Sequence, residues 1–197
     1  RNIHMKLIAV SGLAQSGKST VADHLVERYG FFSVAFADPI KEMIAHLLGE
    51  NHKWVEENKP HVPPQMEEIA PGADITVRHL LQTLGTEWGR LSIHPDIWVN
   101  MVLRDIPLFE EEKYPGIVIS DCRFENEATA IRKAGGIVCH IVRPSMPSIG
   151  DHLSEVGIER EPSDFVIKNV GTLMQLKIKT DVMVNMYNNL RKMRRQS

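Results

Sequence analysis

Cysteine is nearly missing from this chain: Cys122 and Cys139 are the only two in 197 residues. They form neither a disulfide framework nor a Cys-x-x-Cys metal site, so a reducing cytoplasm is the expected compartment. Long apolar runs are missing too, and no stretch reads as a membrane span. Excess charge of either sign is absent. A formal charge of -2 and a pI near 6.5 provide no global basic field for gripping DNA or an anionic membrane, so neither is an expected partner. The tail residues Arg191, Lys192, Arg194 and Arg195 are locally basic, as solvated helix ends often are. No internal repeat or low-complexity tract interrupts the chain. The composition, 43% hydrophobic and 24% charged, suits one compact domain with a real core. Arg1–His4 precede a Met-Lys-hydrophobic start that reads like a native beginning, so we expect an appended remnant followed by a single domain over 5–197.

Five short apolar runs rich in β-branched residues predict buried strands: Leu7–Val10, Ser33–Phe36, Ile117–Ile119, Ile137–Val142 and Phe165–Ile167. Helical patterns separate or follow them at Lys18–Tyr29, Pro39–Leu48, Val77–Trp88, Asp96–Phe109, Asn126–Ala134 and Leu173 to about Arg194. This alternation predicts an α/β fold whose five-stranded parallel sheet carries helices on both faces. Two segments break the rhythm. Gly49–Ile75 carries four prolines, and Pro144–Pro162 is polar with Pro147 and Gly150. Long loops inside a compact domain are commonly lids or binding loops, so an acceptor-binding insertion over about 38–110 and a lid over about 144–162 are expected.

The strongest motif is Gly12-Leu13-Ala14-Gln15-Ser16-Gly17-Lys18-Ser19-Thr20, which matches G-x-x-x-x-G-K-[ST] between a predicted strand and a predicted helix. Its glycines let backbone N–H groups turn inward around phosphates, and the helix opening at Lys18 adds the positive end of its dipole. Lys18 suits the β/γ oxygens of ATP. The Ser19 hydroxyl suits Mg²⁺, which prefers oxygen ligands. A P-loop also needs a carboxylate at the end of a neighbouring strand, and Asp121, closing Gly116–Ser120, is the metal-site candidate; turn chemistry or a helix cap is its plainer reading. Arg123, two residues on, either reaches phosphate oxygens or pairs with Glu125 or Glu127.

A P-loop fits GTPase switches, motor ATPases and small-molecule kinases alike. No Asn-Lys-x-Asp guanine-reading motif is present, and two polar insertions suit a kinase, which must exclude water from the γ-phosphate. Arg78 and Gln82 lie within one helical turn and offer a charge and an amide to a phosphate and a base edge. Leu80, Leu81 and Leu84 read as core. Trp98 either flanks a base or packs. Asp38 either orients the sugar or acceptor or caps the helix beginning at Pro39, and the two are compatible. In the second insertion, Arg143 and Arg160 are candidates for the transferring phosphoryl group, with Arg160 equally able to pair with Glu159 or Glu161. Asp151, His152 and Glu155 read as a hydrogen-bonded loop cluster and are not assigned a metal.

Together these segments resemble the deoxynucleoside-monophosphate kinases of bacteriophages, a branch of the P-loop nucleoside-monophosphate kinase fold. The likeness spans nearly the whole chain from Met5. It is carried by Gly12–Thr20, Phe36-Ala37-Asp38-Pro39 with Lys41, Leu80–Arg90, Ile119–Glu127 and Ile167–Leu173. Gly85–Arg90 and Asp121–Glu127 are its discriminating pieces. The resemblance implies that ATP and Mg²⁺ convert deoxynucleoside monophosphates to diphosphates, with Asp38, Lys41, Arg78, Gln82, Arg90, Trp98 and Arg123 on the acceptor side and Lys18, Arg123, Arg90 and Asp38 in the chemistry. It also implies Asn169 and Gly171 near the adenine, Arg143 near its ring or phosphates, and permits a homodimer. Dephospho-coenzyme A kinase is similar in its P-loop, in the acid opening the helix after the second strand, and in the late Asn-x-Gly turn. Its hydroxyl acceptor would need a base, a role open to Asp38, whereas a monophosphate is already anionic and needs the arginines Arg78, Arg90 and Arg123. A nucleotide-dependent regulatory protein is the third reading.

Overall fold

The structure, a computed structural model, describes residues 5–144 and 158–196, with side chains up to Met193. Most of the lid expected over about 144–162, including Asp151, His152 and Glu155, lies outside the described residues, as do Arg1–His4 and the side chains of Arg194 and Arg195. The chain divides into two compact units, one made of the chain up to Ala35 and from Asp105 onward, the other of Phe36–Arg104. The insertion read over about 38–110 thus overlaps a compact unit with slightly earlier limits. No described helix is long and apolar enough to cross a membrane.

The first unit is built on a sheet of β1 (Lys6–Ser11), β2 (Phe32–Val34), β3 (Gly116–Ile119), β4 (Ile137–Val142) and β5 (Phe165–Lys168) in the order β2-β3-β1-β4-β5. Every neighbouring pair is parallel. Such a sheet needs both faces covered, which is why its strands read as continuous apolar runs. Ile8 and Val10 join Val118, Ile137, Cys139 and Ile141 in a core closed by Val21, Ala22 and Leu25 of α1 (Lys18–Tyr29) and by Leu176, Met183, Val184 and Tyr187 of α8 (Leu173–Gln196). Alternation along β1 turns Leu7 the other way, toward Ile131 of α7 (Glu125–Lys133). The expected parallel α/β sheet with helices on both faces is therefore present.

The chain leaves β1 for β2, returns through β3, and then crosses to β4 on the far side of β1. In open parallel sheets, ligands bind beyond the carboxyl ends of the strands at this reversal of order. The P-loop follows β1, Asp121 follows β3, Arg143 follows β4 and Asn169 follows β5. Topology alone thus gathers at one sheet edge four segments far apart in sequence.

The second unit is helical: α2 (Asp38–Leu48), α3 (His52–Glu57), α4 (Met66–Ile69), α5 (Val77–Gln82), a π-helix (Thr83–Ile93) and the start of α6 (Ile97–Glu111). Ile44, Ala45, Leu48, Val55 and Val77 form its core, with Trp54, Leu80, Leu81 and Leu84 packed against it. Local signals explain the boundaries. Gly49 ends α2 in the left-handed region at φ 66°, the Asn51 side chain caps α3 from Trp54 N at 2.9 Å, and Thr76 caps α5 from His79 N at 3.2 Å.

The structure corrects the helix expected over Val77–Trp88. Its α-helical part stops at Gln82 and eleven residues of π-helix follow. The wider turn is visible in an i to i+5 backbone bond, His94 N donating to Gly89 O at 3.0 Å, and the Ser92 hydroxyl adds a side-chain bond to Glu87 O at 2.7 Å. The cause lies in its packing partner. Trp98 donates Nε1–H to Gly85 O at 2.7 Å, and a Cβ on Gly89 would stand 2.4 Å from its Cζ2. Gly85 and Gly89, one π-turn apart, give the indole a seat without side chains.

Candidate active site

The cradle begins where β1 ends. Gly12 has φ 145°, and a Cβ there would lie 2.4 Å from Ile141 O on β4, so only glycine lets the loop leave the sheet at this point. Gly17, at φ 109°, is the second constraint, because a Cβ would stand 2.8 Å from Nδ2 of Asn169. That amide donates to Ser16 O at 2.9 Å and fastens the loop to the segment after β5. Arg143 donates to Gln15 O at 3.4 Å. Lys18 Nζ bends back over the loop to Gly12 O and Leu13 O, each at 2.7 Å. Ser16 is buried, and its Oγ has no hydrogen-bond partner among the described residues. A buried hydroxyl without a partner is costly, and a ligand oxygen entering the cradle would satisfy it.

An open cleft of about 400 Å³ lies against this loop. Gln15, Gly17, Lys18, Ser19 and Thr20 form one side, and Arg143, Asn169 and Gly171 another, with Leu173 and Leu176 as its apolar surface. Eight of the residues expected at the nucleotide are therefore brought together, while Gly12, Ala14 and Ser16 complete the loop. The Lys18 ammonium is held below its ordinary pKa, first by burial and then by the Arg123 charge, with Asp121 acting the other way. Asp121 and Arg123 thus stand within electrostatic reach of Lys18. Ser19, exposed at the start of α1, and Asp121 supply oxygen donors suited to Mg²⁺. Among the described residues no cluster of three or more His, Cys, Asp or Glu side chains forms a metal site. A hydroxyl, one carboxylate and phosphate oxygens fit a Mg²⁺ that arrives with its nucleotide.

In the helical unit, Asp38 Oδ1 lies 3.3 Å from Lys41 Nζ and 3.1 Å from His52 Nε2. Lys41, 13% exposed, also meets Glu56 Oε2 at 3.0 Å, and Glu56 pairs in turn with Lys59. Burial favours a lower pKa for Lys41, but Glu56 and Asp38 outweigh it and the ammonium is held above its ordinary value. Burial would likewise raise the Glu56 carboxyl, yet Lys59 and Lys41 bring it down to about 2. Arg78 N donates to Lys59 O at 2.8 Å, joining α5 to this charged row. The Arg78 and Gln82 side chains are exposed four residues apart on α5. Arg90, in the π-helix, donates to Pro95 O at 3.4 Å. Trp98 is 1% exposed with its N–H engaged by Gly85, which is the packing reading; Trp88 is the partly exposed indole beside it.

Several of the roles that residues play here were not read from the sequence. His52 and Glu56, which hold Asp38 and Lys41, come from a different helix. Glu127, buried at the start of α7, accepts from Arg123 N at 2.7 Å and Phe124 N at 3.0 Å. A glutamate three residues into a helix is a capping signature and could have revealed it. Arg132 gathers Asp164, Glu125 and Glu161, while His140 meets Asp164 at 3.0 Å.

The family model for deoxynucleotide monophosphate kinase matches residues 6–67 and 61–182. The chain belongs to the deoxynucleotide monophosphate kinase family. A protein of Acanthamoeba polyphaga mimivirus, provisionally assigned the same activity, is 33% identical over 86% of this chain and 91% of its own length. The deoxynucleotide monophosphate kinase of Enterobacteria phage T4 is 25% identical, covering 91% of this chain and all of the phage protein. Among solved structures, an unliganded sugar kinase from Janibacter sp. HTCC2649 superposes with a TM-score of 0.51 at 13% identity, covering 92% of this chain and 95% of its own, a likeness of fold alone. In this chain the Gly85–Arg90 segment lies within the π-helix that seats Trp98.

Proposed function

We propose that the chain transfers the γ-phosphoryl group of ATP to a deoxynucleoside monophosphate, giving the deoxynucleoside diphosphate and ADP. An oxygen of the acceptor phosphate attacks the γ-phosphorus, and the bond to the β–γ bridging oxygen breaks. The observation carrying this reading is the cradle itself: Gly12 and Gly17 at positive φ, a buried Ser16 hydroxyl with no partner among the described residues, and Lys18 folded over the loop within electrostatic reach of Asp121 and Arg123.

In this reading Lys18 exchanges the Gly12 and Leu13 carbonyls for phosphate oxygens. Gly12–Thr20 holds the triphosphate, with Arg143, Asn169 and Gly171 on the nucleoside side of the cleft. Ser19 and Asp121 would hold Mg²⁺, which supplies charge neutralisation for the leaving diphosphate. Arg123 stabilises the transferring group. Arg78, Gln82, Arg90, Lys41 and Asp38 serve the acceptor. Asp38 already engages Lys41 and His52, which suits a ligand-orienting carboxylate. An anionic acceptor phosphate needs no general base, so this use of Asp38 agrees with a monophosphate acceptor better than with a hydroxyl.

The deciding experiment incubates purified protein with ATP, Mg²⁺ and each deoxynucleoside monophosphate in turn, with dephospho-coenzyme A as comparator, and separates products by chromatography. Diphosphate formation is the expected result. Phosphorylation of dephospho-coenzyme A alone, or slow hydrolysis of ATP without transfer, overturns the reading.

A further inference from the structure

Glu127 is 1% exposed in the first turn of α7, and its Oε2 accepts from two consecutive backbone amides, Arg123 N at 2.7 Å and Phe124 N at 3.0 Å. Withdrawing a carboxylate from water is costly unless charge-assisted hydrogen bonds replace its hydration. Here those bonds come from the turn joining β3 to α7. The same turn carries Asp121 and Arg123, both within electrostatic reach of Lys18. Loops tied down by few bonds sample many conformations. This one is tied to a helix whose neighbouring residues Ala128 and Ile131 are fully buried.

We propose that Glu127 is a positioning residue for phosphoryl transfer. Its carboxylate fixes the backbone between Asp121 and Phe124, so that the Asp121 carboxylate and the Arg123 guanidinium are held ready for the triphosphate and its Mg²⁺. The proposal rests on the kinase reading of the cleft. If Glu127 only capped α7, its loss would lower stability without touching the nucleotide.

The test compares wild type, Glu127→Gln and Cys122→Ala. Cys122 is buried in the same turn, so its truncation removes packing and leaves the carboxylate in place. Calorimetry measures affinity for ATP in EDTA and for ATP with Mg²⁺, and steady-state kinetics measures kcat and both KM values. For Glu127→Gln we expect kcat and the Mg²⁺-dependent gain in ATP affinity each to fall by about 10-fold, with affinity in EDTA and monophosphate KM within about 2-fold of wild type. Cys122→Ala should melt earlier yet keep both values. A Glu127→Gln protein with wild-type kcat and Mg²⁺ gain overturns the proposal, whatever its melting temperature. Should that variant not fold, Glu127→Asp, one methylene shorter, is measured identically and wild-type values overturn it equally. If wild type uses no deoxynucleoside monophosphate, the proposed function fails while the calorimetric comparison still decides the role of Glu127. Absence of a Mg²⁺ gain in wild type overturns both.

Discussion

Lys18 Nζ lies 2.7 Å from the carbonyl oxygen of Gly12, six residues earlier in the same loop. The ammonium is thus held over the cradle by two neutral carbonyl oxygens, which the anionic oxygens of a phosphate can replace. Lys18→Ala should leave the circular dichroism spectrum unchanged and lower kcat by at least about 10³-fold, a loss of about 4 kcal/mol of transition-state stabilisation. Retention of more than a tenth of the activity would show that phosphate charge is met elsewhere.

Arg90 tests the acceptor assignment. Its guanidinium donates to the Pro95 carbonyl at 3.4 Å, a long bond that a phosphate oxygen can replace. Arg90→Ala should raise the KM for the monophosphate by about 10-fold or more while leaving the KM for ATP within about 2-fold. Steady-state kinetics with each substrate varied separately reads this. An unchanged acceptor response would move the acceptor phosphate to other residues.

The glycine seat of Trp98 makes a stability prediction. Gly89→Ala places a methyl 2.4 Å from the indole and should destabilise by about 1–3 kcal/mol, through displacement of a buried ring. Trp98→Phe deletes the bond to Gly85 O and should cost about 1–2 kcal/mol by leaving that carbonyl without its donor. Thermal unfolding measures both.

Acid sensitivity should follow from Asp164. Burial alone would raise its pKa, but Arg132, the Glu161 amide and His140 outweigh burial and hold the carboxyl below its ordinary value. A carboxylate depressed in the folded state stabilises fully above its unfolded pKa, about 4, and loses that contribution as pH falls through the folded value. Glu56, held at about 2, adds to the same acid limb. Melting temperature should therefore drop between about pH 4 and pH 2. Asp164→Asn should destabilise by about 3 kcal/mol at pH 7 by leaving Arg132 without its buried partner, with the difference from wild type shrinking in acid.

Much of this protein was determined within short stretches of its sequence. The strand Ile137–Val142 and the helix Lys18–Tyr29 occur with the limits their patterns imply, because apolar periodicity and the flanking glycines act locally. The P-loop is equally local: Gly12, Gly17 and Lys18 specify backbone angles and a charge at a strand-to-helix turn, and these hold before the rest of the chain is known. Tertiary structure decided what depends on residues distant in sequence. The π-helix needed Trp98 to arrive at Gly85 and Gly89, and the engagement of Asp38 needed His52, fourteen residues later. The bracing of Ser16 by Asn169 spans 153 residues. No pattern within one element encodes such meetings, since side-chain periodicity says which face is buried and not which neighbour lies beneath it.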